Sequence, residues 1–242
     1  MRFGAVIIGD EILSGRRQDK HLPRLIGLLA ERGLDLSWCR YVGDDAGVLT
    51  ATFRETLGWG DAVFSFGGIG ATPDDLTRQC AAEAAEVPLE RHPEALALIL
   101  EKFGEAAYPV RVLMADLPQG SAIIPNPYNR IAGFSFRGHH FVPGFPQMAW
   151  PMVEWVLDMQ YSQHFAPGAT VERSVIVLGA VESQLIPLMN DVLAAFPGVK
   201  LFSLPTAGEA RIELGVKGAP ALAAAAMAHV RDAVARLGFR CE

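Results

Sequence analysis

Residues 67–77 read Gly-Gly-Ile-Gly-Ala-Thr-Pro-Asp-Asp-Leu-Thr. They follow the apolar run Ala62–Phe66 and lead into an alanine-rich amphipathic segment, Asp74–Glu86. This order predicts a buried strand, a glycine-rich turn and the N-terminus of a helix. Glycines let the backbone approach a ligand closely, and the free N–H groups at the start of a helix attract anions. The stretch therefore predicts a phosphate-binding turn between a strand and a helix.

Two adjacent carboxylates, Asp74 and Asp75, lie in the same stretch. They would repel a phosphate unless a divalent cation lay between them, so the local chemistry favours a site for Mg²⁺ and phosphate. Helix capping is the alternative. In that interpretation Thr72 is the N-cap, Pro73 takes the first helical position and the aspartates face the helix dipole. Capping leaves the upstream glycines unexplained.

Apolar runs alternate with helix-period segments through the first part of the chain. This alternation predicts a doubly wound α/β domain, a mostly parallel sheet with helices on both faces. The predicted strands are Phe3–Ile8, Leu36–Val42 and Ala62–Phe66, and the predicted helices are Lys20–Arg32, Ala46–Leu57, Asp74–Glu86 and Pro93–Phe103.

The remainder of the chain predicts a hairpin, a further helix and a second domain. Phe134–Phe136 and His139–Val142 form the hairpin around Arg137-Gly138, and a helix then runs through Asp158. A break near residues 163–168 separates the α/β domain expected over residues 1–165 from a smaller α+β domain over residues 169–242. The second domain has a βαββα pattern, for which we expect helices on one face of a mixed sheet. Its predicted elements are Val171–Leu178, Glu182–Ala195, Val199–Leu204, Glu209–Val216 and Ala219–Leu237.

Pairs of acids follow all three early strands. They are Asp10-Glu11, Asp44-Asp45 and Asp74-Asp75. The carboxyl ends of strands in an open parallel sheet face one crevice, so the three pairs are expected to converge there. Oxygen ligands of this kind suit Mg²⁺, which keeps waters and takes one or two carboxylates together with substrate phosphates. Capping of each helix by its own pair stays open as the alternative, above all for Asp44-Asp45.

These motifs define a set of candidate site residues. Phosphate is expected on Gly67, Gly68, Gly70 and Thr72, and Mg²⁺ on some of Asp10, Asp44, Asp74 and Asp75. The metal could polarise a phosphoryl oxygen or lower the pKa of an attacking water. His139 and His140 are adjacent in the hairpin, so their side chains point to opposite faces and cannot share one ion; we expect surface or half-buried positions.

Composition excludes several classes of protein. A net charge of −6 argues against nucleic acid as a main partner, because phosphate neutralisation needs a lysine- and arginine-rich surface. The three cysteines, widely spaced and without a CxxC pair, are expected to be reduced thiols. No apolar run approaches membrane-spanning length and no secretory signal is evident, so a cytoplasmic protein without a membrane partner is expected.

With these residues in view, the chain resembles the molybdopterin-binding domain of molybdenum-cofactor biosynthesis proteins of the MoaB/Mog type. Within that family it is most similar to the N-terminal part of the competence/damage-inducible, CinA-like group. The resemblance covers nearly the whole chain. The motifs that carry it are Gly9–Gly15, Val42–Asp45, Gly67–Thr77, Pro143–Met148, Glu182–Leu185 and Gly208–Leu214.

The resemblance implies a site for molybdopterin or a nucleotide pyrophosphate with Mg²⁺, in a domain that forms dimers or trimers. Mog-type relatives adenylylate molybdopterin, and CinA-type relatives are associated with cleavage of ADP-ribose. Carried over by motif, Asp74 and Asp75 are the expected catalytic residues, and Asp44, Asp74 and Asp75 manage metal or water. The expected ligand-binding residues are Gly67, Gly68, Gly70, Thr72, Gly9, Asp10, Glu11, Gly144 and Pro146, of which Gly144 and Pro146 close the rim.

The chain also departs from the family pattern. Many CinA-like chains carry a C-terminal amidase domain, whereas this sequence stops at Glu242, so nicotinamide-nucleotide deamidation is not expected. Asp19-Lys20-His21 replaces a small polar run, Ala71 replaces a usual proline, and Asn126–Arg130 replaces a more glycine-rich turn. Two functions from different classes stay open: a Mg²⁺-dependent enzyme acting on phosphate or pyrophosphate, and a non-catalytic carrier or sensor of molybdopterin or a nucleotide.

Overall fold

The computed structural model describes all 242 residues of the chain. The chain divides into two compact units, Met1–Phe165 and Ala166–Glu242. The first unit has the predicted doubly wound α/β architecture, and the second has the predicted βαββα order of elements.

One six-stranded sheet organises the first unit, with the spatial order β2-β1-β3-β8-β7-β6. Strands β2, β1, β3 and β8 are parallel to one another, β7 pairs with β8 in antiparallel fashion, and β6 pairs with β7 in the same way. A separate two-stranded sheet pairs β4 with β5. In chain order the strands are β1 (Phe3–Ile8), β2 (Leu36–Val42), β3 (Ala62–Phe66), β4 (Leu89–Arg91), β5 (Asp116–Pro118), β6 (Ala122–Ile124), β7 (Gly133–Phe136) and β8 (His139–Val142).

Helices cover both faces of the six-stranded sheet, because alternate residues of the central strands point to opposite sides. Val6 and Ile8 of β1 belong to one core, and Phe3 and Ile7 to the other. The first core includes residues of α3, α4 and α5, and the second includes residues of α2 and α6. The helices are α1 (Asp10–Leu13), α2 (His21–Glu31), α3 (Ala46–Leu57), α4 (Thr77–Ala84), α5 (Pro93–Phe103) and α6 (Pro146–Gln160).

Helix α4 begins at Thr77, three residues later than the predicted start at Asp74. The capping interpretation of Thr72 and Pro73 is therefore wrong. Asp75 accepts hydrogen bonds from the backbone N–H of Thr72, at 2.9 Å, and from its hydroxyl, while the Asp75 N–H donates to the Thr72 carbonyl. These bonds close a turn ahead of the helix and leave Asp74 and Asp75 in the loop.

The two histidines of β8 lie on opposite faces of the sheet, as predicted, but both are buried, which corrects the expected surface or half-buried placement. His139 Nε2 lies 2.8 Å from the Thr56 hydroxyl on α3. His140 lies between the Ser135 hydroxyl, at 2.8 Å from Nδ1, and the Tyr161 hydroxyl, at 2.7 Å from Nε2. These hydroxyls pair with both ring nitrogens of His140 and with Nε2 of His139, which makes burial tolerable, while His139 Nδ1 is buried without a partner.

The second unit is a four-stranded sheet in the order β10-β11-β9-β12 with its own apolar core. Every neighbouring pair is antiparallel, so the expectation of a mixed sheet is wrong. Strands β9 and β10 run parallel to each other but do not pair, because β11 lies between them and pairs with both. The elements are β9 (Val171–Leu178), α7 (Glu182–Ala195), β10 (Lys200–Pro205), β11 (Arg211–Gly218), α8 (Pro220–Arg236) and β12 (Arg240–Cys241).

No helix of either unit combines the length and the apolar character that crossing a membrane requires. Cys39, Cys80 and Cys241 are free thiols.

Candidate functional site

A cleft of the first unit has a volume of about 510 Å³ and lies at the carboxyl ends of the parallel strands. The chain passes from β1 to β2 on one side and returns to β3 on the other, so the strand order reverses between β1 and β3. Ligands of open α/β sheets bind outside the strand ends at such a reversal. Ile8 at the end of β1, Gly9 directly after it and Gly67 after β3 line the cleft.

The glycine-rich turn needs its glycines for two separate reasons. Gly67 and Gly68 have φ of +105° and +68°, in the region that side chains disfavour. A Cβ on Gly67 would lie 2.7 Å from the Ile8 carbonyl oxygen, and a Cβ on Gly70 would overlap the Asp75 carboxylate. The backbone of the turn therefore packs directly against the end of β1, which leaves no room for side chains.

The carbonyl groups of this turn are held by the first two residues of α4. The Thr77 hydroxyl donates to the Gly67 carbonyl and the Thr77 N–H donates to the Gly68 carbonyl, each at 3.0 Å. Arg78 Nη2 donates to the Gly70 carbonyl at 2.6 Å. In a trans peptide the N–H that follows a carbonyl points the opposite way. The N–H groups of residues 68, 69 and 71 thus point away from α4.

None of the backbone N–H groups of residues 68–71 donates a hydrogen bond to another part of the chain. Gly68, Ile69 and Gly70 line the cleft. A run of unpaired N–H groups in a turn makes a concave site for an anion. The turn is therefore built to accept an anionic oxygen cluster such as a phosphate.

The acidic residues after β1 and β2 have different structural roles, which the sequence did not distinguish. The Asp10 carboxylate accepts the Asp44 N–H at 3.2 Å, and the Asp44 carboxylate accepts the Asp10 N–H at 2.9 Å, which ties together the loops after β1 and β2. Asp45 caps α3 by accepting the Val48 N–H at 2.8 Å. Capping thus accounts for Asp45, whereas Asp44 lines the cleft.

Four carboxylates line the cleft, those of Glu11, Asp44, Asp74 and Asp75. Burial raises the pKa of Asp44, the N–H of Asp10 opposes that rise, and the neighbouring carboxylates of Asp10, Glu11 and Asp74 add to it. The four carboxylates therefore concentrate negative charge in this part of the cleft.

Sequence reasoning missed the cations and the apolar wall of the cleft. Arg17, in the loop after α1, and Lys102, at the end of α5, both line it. Lys102 Nζ donates to the Asn129 carbonyl at 2.7 Å. Lys102 carries no motif because it enters the cleft from a segment distant in sequence, and Arg17 lies just outside the motif that ends at Gly15. The apolar wall comprises Ile69, Phe103, Met114, Ile131, Ala132, Phe145 and Met148.

The loop between β6 and β7 forms one rim of the cleft and is held by its own side chains. Asn126, buried, donates from Nδ2 to Asn129 Oδ1 at 2.8 Å and to the Ile131 carbonyl at 3.0 Å. Arg130, at φ +65°, pairs with both carboxylate oxygens of Glu101, at 2.6 and 2.8 Å. The departure from a glycine-rich turn thus produces a fixed rim.

The opposite rim follows β8. Gly144 lines the cleft, and a Cβ placed on it would lie 3.5 Å from the Gly67 Cα. His21 Nε2 lies 3.1 Å from the Gly144 carbonyl, and its ring stacks on Phe66 with the ring centroids 4.6 Å apart. Burial lowers the pKa of His21, against the opposing effects of the Gly144 carbonyl and the Asp19 carboxylate.

The structure brings ten of the twelve sequence-predicted site residues to this cleft. The two outside its lining are Asp10, whose carboxylate holds the Asp44 N–H, and Pro146, the first residue of α6. The roles of all twelve stay predictions. No cluster of three or more His, Cys, Asp or Glu side chains is arranged to hold a metal ion by itself. The ten sequence-predicted residues that line the cleft are Gly9, Glu11, Asp44, Gly67, Gly68, Gly70, Thr72, Asp74, Asp75 and Gly144.

Comparison with known proteins gives the family. Residues 4–198 match the family model described as a probable molybdopterin binding domain. A CinA-like protein of Anaeromyxobacter dehalogenans is 32% identical over 236 residues, which are 93% of this chain and 57% of that protein. A protein of Caldivirga maquilingensis is 31% identical over 207 residues, covering 82% of this chain and 79% of its own length. The chain therefore belongs to the molybdopterin-binding domain family, in its CinA-like group.

A solved structure agrees with this placement. The protein CinA from Thermoplasma acidophilum, described as having unknown function, superimposes with a TM-score of 0.60 at 27% identity. The superposition covers 65% of this chain and 98% of that one. The chain spans 57% of the length of the Anaeromyxobacter relative.

Proposed function

We propose that this protein is a Mg²⁺-dependent enzyme that acts on the phosphate or pyrophosphate group of a nucleotide or a molybdopterin. The observation that carries the proposal is the turn of residues 67–71, with unpaired N–H groups at the point where the strand order reverses. Membership of the molybdopterin-binding family supports the ligand class. Cleavage of ADP-ribose and adenylylation of molybdopterin are the two reactions that the family resemblance suggests.

The donor set of the cleft fits Mg²⁺ in one particular way. The carboxylates do not form a metal cage by themselves. Mg²⁺ commonly keeps several waters and is bound by one or two carboxylates together with substrate phosphates, so a preformed cage is not required. Asp44 and Asp74 are the carboxylates we assign to it, with the Asp75 oxygen that Thr72 does not occupy as a third ligand. When bound, the ion would neutralise phosphate charge and lower the pKa of a bound water.

The residues of the chain would then act by position and charge. The N–H groups of residues 68–71 bind phosphate oxygens, and Lys102 and Arg17 offer further donors from the other side of the cleft. Asp74, which is exposed, orients the attacking water, and Asp75 keeps the turn closed through Thr72. In ADP-ribose cleavage, water attacks one phosphorus and the bond from the bridging oxygen to that phosphorus breaks. The products are AMP and ribose 5-phosphate.

A non-catalytic carrier or sensor of the same ligands is the second candidate. The observation that favours it is the combination of unpaired N–H groups in the turn with an apolar wall, which suffices to hold a phosphate-bearing ligand without any reaction. A carrier needs the phosphate turn and the apolar wall, but it does not need the carboxylates to activate water. As the family resemblance implies, we also propose assembly into a dimer or trimer, which sedimentation velocity tests.

Incubation of the purified chain with ADP-ribose and Mg²⁺, followed by chromatography of the products, separates these candidates. Asp44→Asn is the test variant, because it removes a charge that lines the cleft. Asp45→Asn is the matched control, because the adjacent carboxylate caps α3 and asparagine is an equally good cap. AMP released by the wild type and by the control, and not by Asp44→Asn, supports a pyrophosphatase. Calorimetric binding of ADP-ribose without AMP release supports the carrier.

A further inference from the structure

The guanidinium of Arg78 lies beneath the glycine-rich turn, in a position that the reaction scheme does not use. The side chain is only 3% exposed. Its partners are three backbone carbonyl oxygens: Gly70 at 2.6 Å from Nη2, Asp116 at 3.2 Å from Nη1, and Leu113, also on Nη1. The Nε–H is buried and has no partner. Arg78 is therefore a buried cation whose hydrogen bonds all go to neutral carbonyl groups, with the carboxylates of Asp75 and Asp116 close enough to act on its charge.

A buried cation with this set of partners is expensive for the fold. Moving a charge out of water costs several kcal/mol, and an apolar side chain of similar volume is often at least as stabilising. Helix α4 could pack its second residue with such a side chain. The arginine fork instead joins the carbonyl of Gly70, in the turn, to the carbonyls of residues 113 and 116 on a segment that also packs against α4 and α5.

The bond to Gly70 fixes the direction of the peptide that follows it. Because the Gly70 carbonyl points to Arg78, the N–H of Ala71 points away from the guanidinium. Thr77 does the same for the peptides that follow Gly67 and Gly68. Arg78 also places a positive charge behind the turn, on the side opposite the anion, where the low dielectric of the interior screens it little.

We propose that Arg78 is the positioning residue of the phosphate turn: it orients the peptide after Gly70 and supplies positive charge from behind. This inference rests on the proposed function, because it assigns to the turn a phosphate-bearing ligand. It assigns Arg78 no contact with that ligand. Loss of the guanidinium should release the peptide after Gly70 and weaken phosphate binding, with the rest of the cleft intact.

The test compares Arg78→Met and Arg78→Lys with Arg91→Met. Arg91 donates to the carboxylate of Asp116, at 3.0 Å from Nη2, and does not touch the turn, so its variant removes a neighbouring cation and its ion pair with Asp116 but no contact of the turn. Two quantities are measured: the Kd of inorganic pyrophosphate with Mg²⁺ by calorimetry, and the NMR order parameters of the Gly70 and Ala71 amides without ligand. We expect Arg78→Met to weaken pyrophosphate binding by about 10- to 100-fold and to lower both order parameters. Arg91→Met should change neither.

Arg78→Lys keeps the charge but loses the planar fork, so it separates charge from orientation. We expect partial recovery of affinity with order parameters still below those of the wild type. Should Arg78→Met fail to fold, Arg78→Lys decides alone: wild-type affinity and wild-type order in that variant overturn the inference. If the wild type does not bind pyrophosphate, the proposed function fails for this ligand, whereas the ligand-free order parameters still decide the positioning role. Unchanged order in both Arg78 variants overturns it.

Discussion

At the scale of single residues, Asp44 is the acid whose surroundings most clearly disfavour its ionised form. Burial and the carboxylates of Asp10, Glu11 and Asp74 raise its pKa. A raised pKa in the folded chain means that the ionised form destabilises the native state relative to the unfolded one. That contribution is absent at low pH, where the group is protonated in both states, and it appears as pH rises through the pKa.

Asp44→Asn should therefore stabilise the ligand-free chain at neutral pH. We expect the melting temperature in EDTA to rise by about 1–3 °C at pH 7.5 and the gain to disappear near pH 4. Calorimetric melting of the wild type, Asp44→Asn and Asp45→Asn over this pH range checks the sign. Asparagine keeps an oxygen for the Asp10 N–H, so the substitution changes the charge and not the hydrogen bond. A gain in melting temperature of the same size at both pH values would therefore contradict the electrostatic explanation.

Glycine is required at position 70 because a Cβ there would meet the Asp75 carboxylate. The backbone is not the reason, since the φ of Gly70 is not in the left-handed region. Gly70→Ala would place a methyl group against the Asp75 carboxylate and disrupt the hydrogen bonds that this carboxylate accepts from Thr72. We expect pyrophosphate binding to weaken by 10-fold or more, on the order of what loss of one charge-assisted contact produces. Titration calorimetry measures the effect, and binding equal to that of the wild type would show that the turn does not form the phosphate site.

At the scale of elements, α2 provides the matched glycine-to-alanine control. Gly27 lies inside this helix, and a Cβ added there would meet nothing within 4 Å. Gly27→Ala should raise the free energy of unfolding by about 0.5–1 kcal/mol, because alanine loses less backbone entropy on folding and favours the helix. Urea denaturation tests this, and pyrophosphate binding should not change. A destabilised Gly27→Ala would contradict the prediction of free space at this position.

Periodicity predicted most elements of the chain, because each long strand or helix must bury a defined face. The bounds of β2, β3, α3, α5 and α7 are those expected from the sequence. The start of α4 was missed because the turn formed by Thr72 and Asp75 competes with the cap that the same residue types favour. The short strands were missed because three or two residues carry no period. They are β4, β5, β6 and β12.

Strand β8 makes the stability of the fold sensitive to pH through its two buried histidines. Burial lowers the pKa of His139 to about 4 and that of His140 to about 3, where the charge of His139 also contributes. Both rings charge on unfolding near the ordinary histidine pKa of about 6.5. The unfolded state therefore binds more protons between pH 6.5 and pH 4, so the stability present above pH 6.5 is lost as pH falls through this window.

Each such histidine contributes a slope of up to about 1.4 kcal/mol per pH unit in that window. Urea denaturation at pH 5.5 to 7 should show this loss for the wild type. His140→Gln should be less stable at pH 7, because the Ser135 and Tyr161 hydroxyls lose a fitted partner, but its pH slope should be smaller by about one histidine. An unchanged slope would mean that His140 is not neutral in the native state.

At the scale of the whole molecule, the cleft is assembled from segments that no local motif connects. The glycines and acids after β1, β2 and β3 were predictable because the ends of parallel strands must meet at one edge. Lys102 and the loop of residues 126–131 were not, since their place depends on how α5 and the β6–β7 connection fold over that edge. Arg17 was not either, because nothing in the loop after α1 marks its side chain as part of the cleft. Arg78 was missed for a related reason: its function is to hold a backbone carbonyl from below, and carbonyl partners leave no signature in a sequence.

All residues of the cleft lie in the first compact unit, which has two apolar cores of its own, while the second unit has a separate core. A fragment of residues 1–165 should therefore fold cooperatively and bind pyrophosphate with Mg²⁺ within about 3-fold of the full chain, a difference below 1 kcal/mol. Circular dichroism melting and titration calorimetry of both proteins measure this. A folded fragment that has lost pyrophosphate binding would show that residues 166–242 contribute to the site. A fragment that does not fold would show that the first unit depends on the second for its stability, since each core would then be insufficient alone.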